Sequence, residues 1–156
     1  CEQTETPVTI FRLCKTFGNN NGSLDYGPNS FIESAFSRNT ISLFGDGNEL
    51  RDHVFIEDLQ ALVGSYVAAD FSGIFNVVSA RSHSFRVIAD WVSEYTSRNV
   101  KIHEIPRTRP MVDQTFKNDA ILNYVSGFRF TEMKQAIEKT VHFFSKSNTD
   151  SLKGVS

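Results

Sequence analysis

Pro7-Val8-Thr9-Ile10-Phe11-Arg12-Leu13 is a β-branched, apolar run headed by a proline, with Gly18 just beyond its end. Near-continuous apolar character marks a strand covered on both faces, whereas a half-exposed strand would alternate. Ile74-Phe75-Asn76-Val77-Val78, entered through Gly73, repeats the pattern further along. Between and beyond these runs the period changes to helical. Asn29 is an expected N-cap for a helix ending near Arg38, with Phe31, Ile32, Ala35 and Phe36 on one face. Asp58 is expected to cap a helix carrying Leu59, Leu62, Val63, Tyr66 and Val67, and Ser84 one carrying Phe85, Ile88, Trp91, Val92 and Tyr95. Short strands are expected at Ile41 to Phe44, His53 to Ile56 and Lys101 to Ile105. A short helix near Asp119 to Tyr124 and a long one from Thr131 to Ser145 complete the folded portion, residues 1–146, and the polar tail 147–156 is expected to be disordered. Strands alternating with helices define an α/β class.

Composition narrows the function. The 156 residues are 40% hydrophobic and include 14 Phe, enough for one aromatic-rich core and too few for two ordinary domains. Sixteen Lys and Arg against 18 Asp and Glu, with no dense basic run, exclude the electrostatic footprint of a nucleic-acid binder. No apolar stretch approaches the roughly 18 to 20 residues that cross a bilayer, and no secretory signal opens the chain. A cytoplasmic location is the expectation. Cys1 and Cys14 flank a predicted strand and lie too far apart along it to bridge. The chain opens on Cys1, so a fragment of a longer protein is expected.

A dinucleotide-binding domain needs a glycine-rich turn between its first strand and helix, where backbone approaches the pyrophosphate. None is present: Gly45-Asp46-Gly47 follows a strand but opens no helix, and reads as a hairpin-like turn. His53, His83, His103 and His142 lack metal-ligand spacing, so no metal is assigned. Asp52, Glu57 and Asp58 are explained by turn and cap duties more simply than by acid–base catalysis. Asn76 is expected to be a structural hydrogen-bonding residue.

Four ordered blocks carry a resemblance. Phe11 to Gly18 resembles the Arg-Leu-Phe-Asn-x-Tyr-Gly-Pro strand and loop of the extended short-chain dehydrogenase/reductase family. Phe44-Gly45-Asp46-Gly47 with Arg51-Asp52-His53-Val54-Phe55-Ile56-Glu57-Asp58 is similar to its Gly-Asp-Gly…Arg-Asp-Phe-Val-x-Val-Asp-Asp block. Ile74 to Ser79 resembles the later Phe-Asn strand, and Arg109-Pro110 with Asp113 and Asp119 the terminal Arg-Pro and Asp positions. The resemblance implies the C-terminal part of a Rossmann-type NAD(P)-dependent sugar-nucleotide epimerase or dehydratase, with its smaller mixed α/β substrate-binding domain. The implied ligand is a nucleotide-diphosphate sugar.

Arg supplies a planar fork of donors suited to phosphate oxygens. The resemblance assigns Arg51 and Arg109 to the diphosphate, with Arg107 a rival to Arg109 because Asp113 lies one residue further on than the family pattern. It assigns Phe44 and Gly45 to the base, although Phe44 is equally explained as core at a strand end. Asn29 is a substrate contact by position and a helix cap by local chemistry. Lys15 stands where the family has a substrate-binding Asn, and Asn19 replaces the usual Pro, which leaves the sugar open.

The family's catalytic pair is a Tyr with a Lys four residues on. Tyr26, Tyr66, Tyr95 and Tyr124 are followed at that spacing by Ser30, Asp70, Asn99 and Phe128, so no catalytic residue is assigned here. NAD or NADP is expected in a full-length protein and not on this segment, which is expected to be inactive alone. The alternative is a non-catalytic nucleotide-sugar binding or protein-interaction module, and chance similarity of an unrelated α/β domain is a third reading. An unpaired strand edge invites a homodimer or other association.

Overall fold

From Thr9 to Phe17 the chain runs extended in two pieces, β1 (Thr9–Leu13) and β2 (Lys15–Phe17), divided at Cys14. The computed structural model describes residues 7–19, 26–67, 72–118, 122–125 and 127–153. After β2 come α1 (Pro28–Arg38), β3 (Thr40–Phe44), β4 (Leu50–Arg51), β5 (His53–Phe55) and α2 (Ile56–Val67). They are followed by β6 (Gly73–Val77), β7 (His83–Ser84), α3 (Phe85–Thr96), β8 (Lys101–Ile105) and α4 (Met133–Lys153). The α/β alternation matches the sequence reading. Cys1 and Asp119 lie outside the described residues, as does part of the helix expected at Asp119 to Tyr124. The last helix continues to Lys153, past the Lys146 at which the sequence reading ends the folded portion.

β1 pairs in parallel with β6, Thr9 opposite Gly73 through Leu13 opposite Val77. β2 pairs in parallel with β5, Lys15 opposite His53 through Phe17 opposite Phe55. The Cys14 N–H still donates to the Val77 carbonyl, at 3.3 Å, so one extended segment passes from one partner strand to the next. β3 and β8 form a third parallel pair, and β4 with β7 a short antiparallel one.

Two apolar clusters fill the interior. In the larger, Phe31, Ile32 and Ala35 of α1 meet Ile88, Ala89 and Val92 of α3, Ile137 and Val141 of α4, and Phe17 and Phe55 of β2 and β5. In the smaller, Leu62 and Tyr66 of α2 meet Phe75 and Val77 of β6 with Phe130, and Phe11 stands edge-on to Tyr66 at 4.8 Å. The β1–β6 pair is therefore covered on one face only. Ile10 and Ile74, on the other, are 49% and 58% exposed, which corrects the expectation of a doubly covered sheet. α2 reaches a single face, and no described element packs on the opposite one. Asn76 shares that exposed face and makes no side-chain hydrogen bond among the described residues, contrary to its expected structural role.

Three local readings also change. Asn29 is not the N-cap of α1: Gly27 is, followed by Pro28, whose fixed φ and missing N–H suit a first turn. The Asn29 amide is buried, accepting from the Gly18 N–H at 3.1 Å and donating to the Gly18 carbonyl at 3.3 Å. Gly-Asp-Gly is not a hairpin, because β3 and β4 pair with different strands. Gly47 has φ +76°, and a Cβ there would come within 2.8 Å of Leu43 Cδ1. Its carbonyl accepts from the Arg86 N–H at 2.9 Å, so the turn fastens the end of β3 to the start of α3. Asp58 lies inside the first turn of α2, and its carboxylate accepts from Thr131 N–H and Oγ1–H at 2.8 and 2.7 Å, securing the approach to α4. The cap at Ser84 holds: its Oγ accepts from the Val87 N–H at 3.2 Å.

Candidate functional site

The end of β3, the Gly-Asp-Gly turn, β4 and residues 107–112 enclose a cleft of about 740 Å³, within the usual range of small-molecule sites. Lys15, Arg51, Arg107 and Arg109 supply its cations, Glu49 its one carboxylate among the described residues, and Tyr26, Phe44 and Phe85 its aromatic wall. The wall is a packed unit, with the Tyr26 ring 4.9 Å from Phe44 and 4.6 Å from Phe85. The Tyr26 hydroxyl accepts from the Phe44 N–H at 3.0 Å, holding the half-buried Phe44 ring at the mouth.

Backbone contacts set the arginines in place. Gly45, at φ +61°, donates its N–H to the Ile105 carbonyl at 2.8 Å, so β8 leads directly to Arg107 beside the turn. The Asp113 carboxylate accepts from the Leu50 N–H at 2.9 Å, and Gln114 N–H donates to the Leu50 carbonyl at 3.0 Å. These two bonds tie the segment carrying Arg109 alongside β4, whose next residue is Arg51.

Glu49 bridges two of the arginines. One carboxylate oxygen accepts from Arg51 Nη2 and the other from Arg107 Nη1 at 2.5 Å. Burial pushes this carboxyl up, but the Arg107 hydrogen bond and the charges of Arg51 and Arg107 outweigh it and hold the group below its usual range. Arg51 Nη1 also donates to the Leu50 and Val112 carbonyls, Arg107 Nη2 donates to the Phe44 carbonyl at 3.1 Å, and the Arg51 guanidinium lies 6.0 Å from the Phe85 ring centre. Arg109 is exposed and makes no hydrogen bond or ion pair among the described residues. Four cations against one carboxylate leave a net positive cleft in a chain whose overall charge is −2.

A second cavity of about 230 Å³ adjoins the cleft and shares Lys15 and Tyr26 with it. Asn29, Cys14 and His53 also line it. His53 is 5% exposed, and neither ring nitrogen makes a hydrogen bond of good geometry. Burial, with the neighbouring Lys15 charge, pulls this imidazole down to about 3, so it is neutral. Burial and the adjacent Asp52 push the Cys14 thiol up to about 12, so it is protonated.

Of the residues singled out in the sequence, Lys15, Phe44, Arg51 and Arg109 line one cleft, Gly45 borders it, and Asn29 lies in the adjoining cavity. Arg107, the rival of Arg109, lines the cleft with it, so the two do not compete for one place. Glu49, Tyr26, Phe85 and His53 were not anticipated. Glu49 had a signal, since two residues before Arg51 on an extended chain it shares that side chain's face. Tyr26 and Phe85 depend on tertiary packing that no local pattern encodes. The three crowded carboxylates have separate duties. Asp52 accepts from Ser79 N–H at 3.1 Å, Ser79 Oγ–H at 2.7 Å and Ala80 N–H at 2.8 Å, Asp58 holds Thr131, and Glu57 pairs with Lys139 at 3.4 Å. No group of three or more His, Cys, Asp or Glu among the described residues is arranged to hold a metal.

Comparison with known proteins sets this architecture in context. The fold is similar to that of UDP-N-acetylglucosamine 4-epimerase from Methanobrevibacter ruminantium M1, with a TM-score of 0.80 at 18% identity, over 94% of this chain and 48% of that one. Epimerase Mth375 from Methanothermobacter thermautotrophicus gives 0.82 at 19% identity, over 97% and 46%. UDP-glucuronic acid 4-epimerase from Bacillus cereus, solved with UDP-glucuronic acid and NAD, gives 0.78 at 14% identity, over 94% and 48%. No curated protein matches in sequence. The chain thus spans about half the length of these solved structures and has the α/β fold of the C-terminal portion of Rossmann-type epimerases and dehydratases. The model of the NAD dependent epimerase/dehydratase family matches residues 1–78, half of the sequence, and the chain belongs to that family.

The family implies a dinucleotide, and the close-packed glycines Gly18 and Gly47 face protein and not an open pyrophosphate turn. Where a Cβ is excluded, protein already fills the space: Ile56 and Phe55 crowd Gly18 at 2.7 Å, and Leu43 crowds Gly47 at 2.8 Å. No step is therefore assigned to NAD(P) on this chain. No described helix is long and apolar enough to cross a membrane.

Proposed function

We propose that this chain is the part of an NAD(P)-dependent sugar-nucleotide epimerase or dehydratase that binds the nucleotide-diphosphate sugar. The observation that carries the reading is the convergence of Arg51, Arg107, Arg109 and Lys15 on one cleft with an aromatic wall. A diphosphate brings two negative charges and a fan of acceptors, and guanidinium forks meet both demands. Within the cleft Glu49 takes part of that role, bridging Arg51 and Arg107 and keeping their side chains oriented. An entering diphosphate competes with Glu49 for these donors and meets Arg109, which has no partner to release among the described residues. The half-buried Phe44 ring at the cleft mouth offers a face to a nucleobase.

The chain's own residues bind and orient, and the hydride and proton transfers of the family are assigned to residues outside this sequence. Isomerase, lyase and oxidoreductase outcomes share this binding step. The supporting test is calorimetric titration with UDP-, GDP-, dTDP- and CDP-sugars. Saturable binding to one nucleotide class, weakened about tenfold or more by Arg51→Ala, is the expected result. Absence of binding to every nucleotide by the folded chain would overturn the reading.

A further inference from the structure

Among the described residues β8 pairs with β3 alone. The register sets Lys101 opposite Thr40 and Ile105 opposite Phe44. The Lys101 N–H donates to the Asn39 carbonyl at 3.0 Å, and the Ile105 carbonyl accepts from the Gly45 N–H at 2.8 Å. Backbone direction alternates along a strand, so the N–H and C=O groups of Ile102 and Glu104 point away from β3, where no described strand takes them. The side chains alternate too. Ile41 and Leu43 of β3 enter the core with Ile102 packed beside them, and Glu104, on that same face, pairs with Arg86. Lys101 and His103 therefore stand on the outward face with Thr40 and Ser42.

That face opens on a groove of about 780 Å³ whose charge has one sign. Arg38 and Arg98 join Lys101 and His103 there, and no carboxylate lines it among the described residues. Arg98 is held by donating from Nη1 to the Phe36 carbonyl at 2.8 Å and by lying over the Phe36 ring at 4.9 Å, and Arg38 by donating to Ser34 Oγ at 2.7 Å. Each guanidinium has further donors to give. A compact phosphate finds no cradle, because no glycine lines the groove and the helices that reach it, α1 and α3, arrive by their C-terminal ends at Asn39 and Ser97. Cations spaced along an extended strand match carboxylates spaced along another. They also repel a second copy of the same edge.

We propose that the β8 edge docks an acidic, extended segment of a partner protein, added as a further strand to the β3–β8 pair. The segment's backbone pairs with Ile102 and Glu104, its carboxylates at alternate positions meet Lys101, His103 and the two arginines, and apolar side chains between them lie beside Ile102. The site stands apart from the nucleotide cleft and does not depend on it.

The test titrates the isotopically labelled full chain with a short peptide alternating Glu and Val, followed by NMR and amide hydrogen exchange. Saturable binding is expected, with exchange slowed at the Ile102 and Glu104 amides. Affinity should fall roughly tenfold when Gln replaces Glu in the peptide, and by a similar factor in the double variant Arg38→Ser with Lys101→Ser. Methylating the peptide's amide nitrogens keeps its charge and removes its donors, and should abolish the protection. Arg51→Ala should leave peptide affinity unchanged. Thermal unfolding checks the variants, while the Gln and methylated peptides probe the unaltered chain. Equal binding of the Glu and Gln peptides, unprotected Ile102 and Glu104 amides, or affinity that survives methylation would overturn the proposal. So would loss of binding in Arg51→Ala, which would seat the peptide in the cleft. A single-stranded oligonucleotide or an anionic lipid vesicle that displaces the peptide without protecting either amide would overturn it in favour of another polyanion.

Discussion

Replacing Glu49 with glutamine should move stability and affinity in opposite directions. In the parent chain one carboxylate takes a charge-assisted hydrogen bond from each of Arg51 and Arg107, with side chains 11–22% exposed. Such bonds contribute about 1.5–3 kcal/mol, against about 0.5–1.5 for neutral ones. The amide keeps one acceptor for one guanidinium and turns a donor toward the other, so one bond is lost and one weakened. Residual solvent screening trims the sum, and a loss of about 2 kcal/mol is expected. For a chain of this size about 1 kcal/mol corresponds to roughly 2–4 °C in Tm, which gives a drop of about 4–8 °C by thermal unfolding. The same change removes the internal competitor for the arginines. Releasing one charge-assisted contact before binding costs about 1.4 kcal/mol, so the variant should bind a nucleoside diphosphate about tenfold more tightly by calorimetry. A variant as stable as the parent that binds no tighter would refute the role given to Glu49.

Other expectations follow from the same geometry. Glu49 is held below the usual glutamate range, so the stabilisation it provides is complete above that range and disappears as pH falls through the lowered value. Glu49→Gln should therefore flatten the stability profile measured by denaturant unfolding at the acid end. His53 works at higher pH: unfolded, it takes up a proton below 6.5, and folded, only near 3. Stability should fall by up to about 1.4 kcal/mol per pH unit across that window, and His53→Phe should remove that slope. Gly18→Ala places a Cβ 2.7 Å from Ile56 Cγ2 at φ +128°, and a loss of about 2–4 kcal/mol in chemical denaturation is expected. Arg109→Ala should leave Tm unchanged, because its guanidinium is exposed and has no described partner, while nucleotide affinity falls.

The elements that local chemistry determines were legible in the sequence. Ser84 caps α3 because its hydroxyl reaches the Val87 N–H, and Lys101–Ile105 reads as a strand and is one. The readings that changed depended on partners distant in sequence. Asn29 has the side chain of a cap but spends it on Gly18, eleven residues earlier. Asp58 begins a helix in sequence, yet reaches across to Thr131. The apolar run at Val8 to Leu13 suggested two covered faces, whereas α2 covers only one. At the cleft, arginine positions were readable because phosphate chemistry restricts the residue type. The bridging Glu49 and the buried His53 were not, since each acquires its role only when β4, β5 and the segment 107–112 meet.

The most direct test of the central claim is to map where a nucleotide sits. Titrating the isotopically labelled chain with the best-binding nucleoside diphosphate and following its NMR spectrum should shift Phe44, Arg51, Phe85, Arg107 and Arg109 together, with saturation at one common affinity. Shifts confined to the other basic surface, at Arg38, Arg98 and Lys101, or no shifts at all, would contradict a nucleotide-binding cleft at Arg51.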